Sequence, residues 1–218
     1  MTPNTSSDPA ESTDYAAARQ AMIDSQLRPQ GVTDPSVIAA MAAVPRETFV
    51  PQAARAMAYS DRMVPLGEGR SLSPPAALGM LLEALLPMAG ERALVIGAGA
   101  GYSAAVLAAM GLKVTALDDS EIPQAGAAFD RVKGVLGVGN AAGAPYDLIL
   151  VDGAIPAIPD AIVAQLGDGG RLGAGLIDQG IAKLVVGRKS GTAFGLRSIG
   201  DSGLPHLPGF AKPREFTF

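Results

Sequence analysis

The sequence lacks several residue types on which whole classes of protein chemistry depend. Its 218 residues include no cysteine, no tryptophan and a single histidine, His206. The absence of cysteine excludes disulfides, thiolate nucleophiles and cysteine-ligated metals. Because one histidine in a proline-flanked segment does not make a ligand cluster, we predict no metal site.

Positive charge is also scarce. The chain has 17 Lys and Arg residues against 21 Asp and Glu, a formal net charge of −4, and no cluster of basic residues. Nucleic acids and anionic membranes are bound through such clusters, so neither is an expected partner. No apolar run reaches the length that spans a membrane. We expect a small molecule or a protein as the partner.

The first fourteen residues are polar and lack the basic-then-apolar order of a signal peptide. We therefore predict a disordered tail over residues 1–14 and a cytoplasmic protein. The chain is 48% hydrophobic, which is enough to bury a full core in one large domain, or in one domain with an added part.

Two parts of the chain carry different patterns. Residues 15–90 predict helices separated by prolines, whereas the sequence from Arg92 onward alternates strands and helices, as is typical of a parallel α/β sheet. In the first part, helices are predicted over residues 15–27, 34–45, 52–59 and 74–86, with a loop over 60–70. In the second part, strands are predicted over 92–96, 113–117, 135–138, 148–151 and 171–176, helices over 102–110, 121–132 and 156–166, and a closing antiparallel hairpin over 182–187 and 193–199.

The most informative motif is Gly97-Ala98-Gly99-Ala100-Gly101, which follows an apolar strand and precedes an alanine-rich helix beginning at Tyr102. Glycines let a ligand approach the backbone, and the helix N-terminus offers unpaired N–H groups. A dinucleotide motif would need its third glycine at position 102, and a phosphate loop would need a lysine, so neither cofactor class is predicted. A purely structural role, packing the helix on the sheet, stays open.

The glycine spacing resembles the S-adenosylmethionine-binding turn of Rossmann-like methyltransferases, and four earlier segments make the resemblance more specific. These segments, together with residues 97–102 and 144–151, resemble protein-L-isoaspartate O-methyltransferases over about two thirds of the chain. The four segments are residues 24–29, 44–51, 58–61 and 66–75.

The resemblance implies a Rossmann-like class I methyltransferase fold. We expect a seven-stranded, mostly parallel sheet with an antiparallel last strand, helices on both faces, and a helical N-terminal region over the strand ends near Gly97. Residues 15–90 would form the substrate side, and residues 91–218 would bind S-adenosylmethionine.

The implied activity is transfer of a methyl group from S-adenosylmethionine to the free carboxylate of isoaspartyl residues in damaged proteins. A carboxylate with a pKa of about 4 is already ionised at neutral pH, so this reaction needs no general base, cysteine or metal. Alignment of the reacting groups in a dry site would suffice.

The resemblance also implies roles for individual residues. It makes Ser73 the catalytic hydroxyl on the substrate side, although a serine before Pro74 is also placed to cap the following helix. Arg28 is a candidate to grip a substrate carboxylate, or else a solvated arginine at a helix end. The implied cofactor-binding residues are Gly97, Ala98, Gly99, Gly101, Tyr102, Asp118 and Asp119.

The sequence departs from the family pattern at three places. Val95 and Leu117 stand where acids for the methionine and ribose parts of the cofactor are expected, and residues 137–140 lack the aspartate expected near the adenine. Asp118 would then act from one position later, on the other face of the strand unless the strand end differs. Two lost charge-assisted hydrogen bonds, ~1.5–3 kcal/mol each, would weaken cofactor binding roughly a hundredfold to ten-thousandfold.

Two alternatives follow. The first is a catalytically silent methyltransferase fold with a binding or regulatory role. The second treats residues 101–105 as the nucleophile elbow of an α/β-hydrolase, with Asp152 or Asp178 and then His206 completing the triad. Position 105 is alanine where the elbow has glycine, which disfavours the hydrolase. Whether Asp152 contacts a ligand stays open.

Overall fold

The computed structural model describes residues 9–121, 129–201 and 203–210, with side chains from residue 15 onward. Its first part consists of helices and one small hairpin. The elements are α1 (Pro9–Met22), which continues through a π-helical turn (Ile23–Leu27) and a 3-10 turn (Arg28–Gln30), α2 (Pro35–Ala43), 3-10 turns at Arg46–Phe49 and Gln52–Met57, the hairpin strands β1 (Val64–Gly67) and β2 (Arg70–Leu72), and α3 (Pro75–Leu85).

The predicted starts and ends of these helices are largely confirmed. Asp34 caps α2, because its carboxylate accepts hydrogen bonds from the Ser36 and Val37 N–H groups. The helix predicted over residues 52–59 is a 3-10 turn, and the loop predicted over residues 60–70 contains most of the hairpin. Strands of four and three residues are too short to show an alternating pattern, which explains the omission.

The disordered tail predicted over residues 1–14 also needs correction. Helix α1 begins at Pro9, and a proline is tolerated at a first helical position because its missing N–H is not needed there. Residues 1–8 lie outside the described part of the chain.

A seven-stranded sheet forms the second part. Its strand order is β5-β4-β3-β6-β7-β8-β9; the pairings from β5 through β7 are parallel, and β8 and β9 are antiparallel, as predicted. The elements are β3 (Arg92–Ile96), α4 (Tyr102–Ala109), β4 (Lys113–Asp118), β5 (Asp130–Lys133), β6 (Tyr146–Ile155), α5 (Asp160–Val163), β7 (Leu166–Asp178), β8 (Ile181–Ser190) and β9 (Ala193–Asp201).

The strand predicted over residues 135–138 is wrong. Leu136–Val138 is a 3-10 turn, and the edge strand β5 lies earlier, at the end of the segment predicted as a helix over 121–132. β5 reads Asp-Arg-Val-Lys, and such charged residues are common on edge strands but hide a strand from a hydrophobicity pattern. Residues 122–128 of that predicted helix lie outside the described part.

The two faces of the sheet are covered differently. α3 and α4 cover one face, but among the described residues the other face carries only the four-residue α5 and short 3-10 turns, so the prediction of helices on both faces holds incompletely. Residues 204–210, here called the C-terminal strap, complete that second face. Leu207 and Phe210 of the strap are buried in its core, and the Leu207 N–H donates to the Ala154 carbonyl at 2.9 Å.

No helix in the described ranges is both long enough and apolar enough to cross a membrane.

Arg46 joins the N-terminal part to helix α4 from a fully buried position. Its Nε donates to the Ala58 carbonyl at 2.6 Å, Nη2 donates to the Ser73 carbonyl, and the guanidinium lies 4.8 Å from the centre of the Tyr102 ring. A planar guanidinium can make these contacts at once, whereas an ammonium cannot.

We therefore expect Arg46→Lys to lower the free energy of unfolding by about 3 kcal/mol, since hydrogen bonds to a charged donor contribute ~1.5–3 kcal/mol each. Chemical denaturation measures the change. Arg55→Lys, at an exposed position in the neighbouring 3-10 turn, is the matched control and should change stability by at most about 0.5 kcal/mol. Equal effects of the two substitutions would show that Arg46 does not hold the two parts together.

Candidate functional site

The glycine turn lies where β3 ends and α4 begins. Gly97, Gly99 and Gly101 have φ values of 74°, 54° and 90°, in the left-handed region that disfavours a side chain. The Gly97 and Ala98 N–H groups donate to the Leu117 carbonyl at 2.9 and 3.3 Å. These two amides are already hydrogen-bonded to the end of β4. The turn is therefore less able to bind an anion than the sequence suggests.

Asp118 is the last residue of β4, and its buried side chain reaches the glycine turn. One carboxylate oxygen accepts the Gly99 N–H at 2.7 Å and pairs with Arg70 at 2.6 Å, while the other accepts two hydrogen bonds from Ser120. Burial opposes ionisation, but the backbone N–H bonds and the Arg70 charge hold the pKa of Asp118 below its usual value. Leu117 points into the opposite layer, so the acid one position later is the one that reaches the site.

Asp119 also faces the site. It is half-exposed and pairs with Arg70 at 3.1 Å, so Arg70 bridges both carboxylates at the end of β4. A cleft of about 820 Å³ opens beside them. It is lined by residues 48–51, Leu66, Gly67, Glu68, Arg70, Gly99, Ala100, Asp119, Ser120, Glu121 and Lys133.

A second, much smaller pocket lies on the other side of the turn. Its volume of about 10 Å³ is the space of about one water molecule. Leu207 of the strap fills the hollow above Gly97, where an added Cβ would lie 2.5 Å from its Cδ2 atom. The pocket is lined by Leu66, Arg70, Ser71, Leu72, Gly97, Ala98, Gly99, Asp152, Pro205, His206 and Leu207.

Asp152 connects the predicted catalytic serine to helix α4. Its two carboxylate oxygens accept hydrogen bonds from the Ser73 and Ser103 hydroxyls, each at 2.6 Å. Burial raises the pKa of Asp152; the two hydroxyls and the Arg46 charge oppose that shift. The Asp152 carboxylate therefore links Ser73 to Ser103 of α4, the helix that follows the glycine turn.

The capping alternative for Ser73 is wrong. Helix α3 has no side-chain cap at the residue before it, and the Ala76 N–H donates instead to Asp61 at 3.2 Å. Ser73 is 2% exposed, and its hydroxyl is used by Asp152.

The remaining candidates lie away from both cavities. Gly101 immediately precedes α4, and Tyr102, the first residue of α4, is buried beneath Arg46 with its ring edge against Phe49. Arg28 is exposed and pairs with Asp24 at 3.3 Å, so the solvated alternative for Arg28 is the better description. Val95 is fully buried.

The hydrolase alternative fails on geometry. A serine nucleophile must give its proton to the histidine of the triad, but Ser103 donates directly to Asp152. Asp178 is exposed at the end of β7 and lines a different cavity. His206 does line the pocket with Asp152, but the hydrogen bonds of Asp152 come from Ser73 and Ser103, so His206 is not placed between a serine and the acid as a triad requires.

Comparison with known proteins identifies the family. The sequence model described as "Protein-L-isoaspartate(D-aspartate) O-methyltransferase" matches residues 17–193. The chain belongs to this family. It is 40% identical over 177 residues to protein-L-isoaspartate O-methyltransferase 1 of Rhodopseudomonas palustris, covering 74% of this chain and 70% of that protein. It is 38% identical over 199 residues to the Roseiflexus castenholzii protein-L-isoaspartate O-methyltransferase, covering 87% of both.

Solved structures support the fold. A protein-L-isoaspartate O-methyltransferase superposes with a TM-score of 0.75 at 21% identity, covering 88% of this chain and 66% of that one. A Plasmodium falciparum protein assigned to the same family, in complex with S-adenosyl-L-homocysteine, gives a TM-score of 0.71 at 17% identity, covering 89% and 98%. The predicted class I methyltransferase fold is thereby confirmed.

Sequence reasoning missed three contributors to the site. Arg46 and Arg70 lie within the segments that carry the family resemblance. Sequence alone does not distinguish a buried guanidinium from a solvated one, so their roles in the site could not be predicted. Leu207 had no sequence signal, because its contact with Gly97 joins residues more than a hundred positions apart.

The raised pKa of Asp152 predicts a pH-dependent cost to stability. A carboxyl group whose pKa is higher in the folded chain than in the unfolded chain destabilises the fold when it is ionised, so this cost grows as pH rises above about 3.9. We expect Asp152→Asn to be more stable than the native protein at pH 7, with the difference disappearing at lower pH. Thermal unfolding between pH 4 and pH 8 would measure it, and a variant less stable than the native protein at pH 7 would contradict it.

Proposed function

We propose that this protein transfers a methyl group from S-adenosylmethionine to the free carboxylate of isoaspartyl residues in damaged proteins. The observation that carries the proposal is the placement of Ser73, whose hydroxyl meets Asp152 beside the glycine turn. The family relatives reported above are named for this reaction. The cytoplasmic location expected from the sequence is part of the proposal, and nothing found in the comparisons favours the catalytically silent alternative.

The chemical character of the site fits the methyl donor. Carboxylates of Asp118, Asp119 and Asp152 surround the glycine turn, and the first amides of that turn are already paired. Arg70 pairs with Asp118 and Asp119, so Asp152 is the one of these three carboxylates without an ion pair among the described residues. An uncompensated carboxylate favours a ligand with positive charge, and the donor carries a sulfonium and an ammonium group. When bound, the donor supplies an electrophilic methyl group. The 820 Å³ cleft beside Gly99 has the room for a ligand of nucleoside size.

Within this proposal, Asp118 is the acceptor for ribose hydroxyls. Its four hydrogen-bonding positions are occupied by Gly99, Ser120 and Arg70, so a ribose hydroxyl must displace one donor. Arg70 is the donor best able to move, because it has a second partner in Asp119. Gly99 lines both cavities and, lacking a side chain, would let the ligand approach the backbone, whereas Gly97 and Ala98 line only the small pocket.

The remaining work of the chain is to align the reacting carboxylate and to exclude water. The substrate carboxylate is ionised at neutral pH, and the site therefore needs no base. In this proposal the Ser73 hydroxyl, which lines neither cavity in the free protein, rotates away from Asp152 and donates a hydrogen bond to that carboxylate. The buried surroundings of Ser73 keep competing water out.

We expect Ser73→Ala to slow methyl transfer to an isoaspartyl peptide roughly tenfold, because one positioning hydrogen bond contributes ~1–2 kcal/mol. Release of S-adenosylhomocysteine at saturating donor measures the rate. Ser198→Ala, on the edge strand β9, is the matched control and should leave the rate unchanged.

An unchanged rate in Ser73→Ala would remove Ser73 from the reaction. If the native protein itself transferred no methyl group at saturating donor, the catalytically silent alternative would be supported instead.

A further inference from the structure

Asp152 is a carboxylate whose negative charge is poorly compensated. Among the described residues no lysine or arginine forms an ion pair with it, and its hydrogen-bond donors are the neutral hydroxyls of Ser73 and Ser103. Arg46 and Arg70 act on it only through space. Asp118, in contrast, pairs directly with Arg70. A cation placed against Asp152 would supply the compensation that the chain itself does not.

Asp152 also stands close to the position of the missing family acid. Val95 is level with Leu150 in the pairing of β3 with β6, and that pairing ends at Ile96 and Val151. Side chains alternate along a strand, so Asp152, two residues beyond Leu150, points to the same face as Val95. Its hydrogen bond to Ser103 of α4 confirms this direction, since α4 covers that face.

The pocket in front of Asp152 has the size of a small cationic group. Its volume of about 10 Å³ holds about one water molecule, and an ammonium group is of similar size. Gly97 and Ala98 form one wall of the pocket, Asp152 another, and Leu207 limits its depth. A larger group could not enter without moving the strap.

We propose that Asp152 binds the α-ammonium group of the methyl donor and so replaces, from β6, the acid that Val95 does not supply on β3. This inference rests on the proposed function. In this assignment Asp152 binds a primary ammonium group, which belongs to the amino-acid part of the donor and takes no part in methyl transfer.

The same assignment explains why a carboxylate lies where burial disfavours its charge. In the free protein the ionised group destabilises the fold, and an ammonium ligand removes that cost on binding. Ser73 and Ser103 then hold the carboxylate in place, and binding of the cation reduces the dependence of Asp152 on the Ser73 hydroxyl.

The test compares two ligands by titration calorimetry at pH 7. S-adenosylhomocysteine carries the ammonium group, and desamino-S-adenosylhomocysteine differs only in lacking it. We expect the native protein to bind the first more tightly. Asp152→Asn, which preserves the size of the side chain, should weaken binding of S-adenosylhomocysteine roughly 10- to 100-fold and change binding of the desamino ligand less than about twofold.

Asp178→Asn is the matched control, because it removes the same charge from an exposed position at the end of β7 and should leave both affinities unchanged. Thermal unfolding of both variants establishes that they are folded. Equal weakening of both ligands in Asp152→Asn would assign Asp152 a structural role and overturn the proposal, as would unchanged binding of S-adenosylhomocysteine.

The outcomes also separate this inference from the proposed function. If the native protein bound the two ligands equally, the ammonium group would have no anchor and only the Asp152 assignment would fall. If it bound neither, the proposed function would fail together with the inference.

A second variant tests the replacement directly. Adding Val95→Glu to Asp152→Asn returns a carboxylate to the same face of the sheet. Position 95 is level with Leu150, two residues before position 152. Where this double variant is folded, S-adenosylhomocysteine should regain part of the lost affinity and the desamino ligand should not. A folded double variant that regains nothing would show that the face shared by positions 95 and 152 does not bind the ammonium group.

Discussion

The contacts of the Arg46 guanidinium are the constraint on which the rest of the structure depends. They fix the Ala58 and Ser73 carbonyls and the Tyr102 ring relative to one another. These groups lie at the end of the 3-10 turn Gln52–Met57, in the segment before α3 and at the start of α4. The site is formed by residues from all three. Arg46 holds Ser73 through the backbone carbonyl, so the Ser73 hydroxyl is left to donate its hydrogen bond to Asp152.

Two carboxylates on either side of β3, Asp118 at the end of β4 and Asp152 within β6, have opposite electrostatic situations. Asp118 receives backbone N–H bonds and the Arg70 charge, which lower its pKa, while burial raises the pKa of Asp152. The difference suits the two acids to different ligands. Asp118, whose charge is compensated, is suited to accept hydrogen bonds from neutral hydroxyls, whereas Asp152, whose charge is not, is suited to bind a cation. In the two proposals above, nucleoside recognition belongs to Asp118 and ammonium recognition to Asp152, and this difference in charge compensation is what supports the division.

The sequence was informative where a local rule decides the structure. Asp34 before Pro35 predicted the start of α2, and the apolar runs at β3 and β4 predicted two strands of a parallel sheet. It was uninformative where tertiary contacts decide. β5 is too polar to show as a strand, and Asp152 could be placed at a strand end but not between two serines. The sequence predicted which residues lie around Ser73 and Gly97. It did not predict which carboxylates of the site are paired with an arginine and which are not.

The C-terminal strap completes the core on one face of the sheet and also forms part of the wall of the small pocket. Since α5 is too short to cover its face of the sheet, the strap pairs with Ala154 and buries Leu207 there. A Cβ at Gly153 would lie 2.8 Å from the Leu207 Cβ, and one at Gly97 would meet the tip of the same side chain. Gly97 thus admits Leu207, which closes the core on that face, and the same contact limits the volume of the pocket before Asp152.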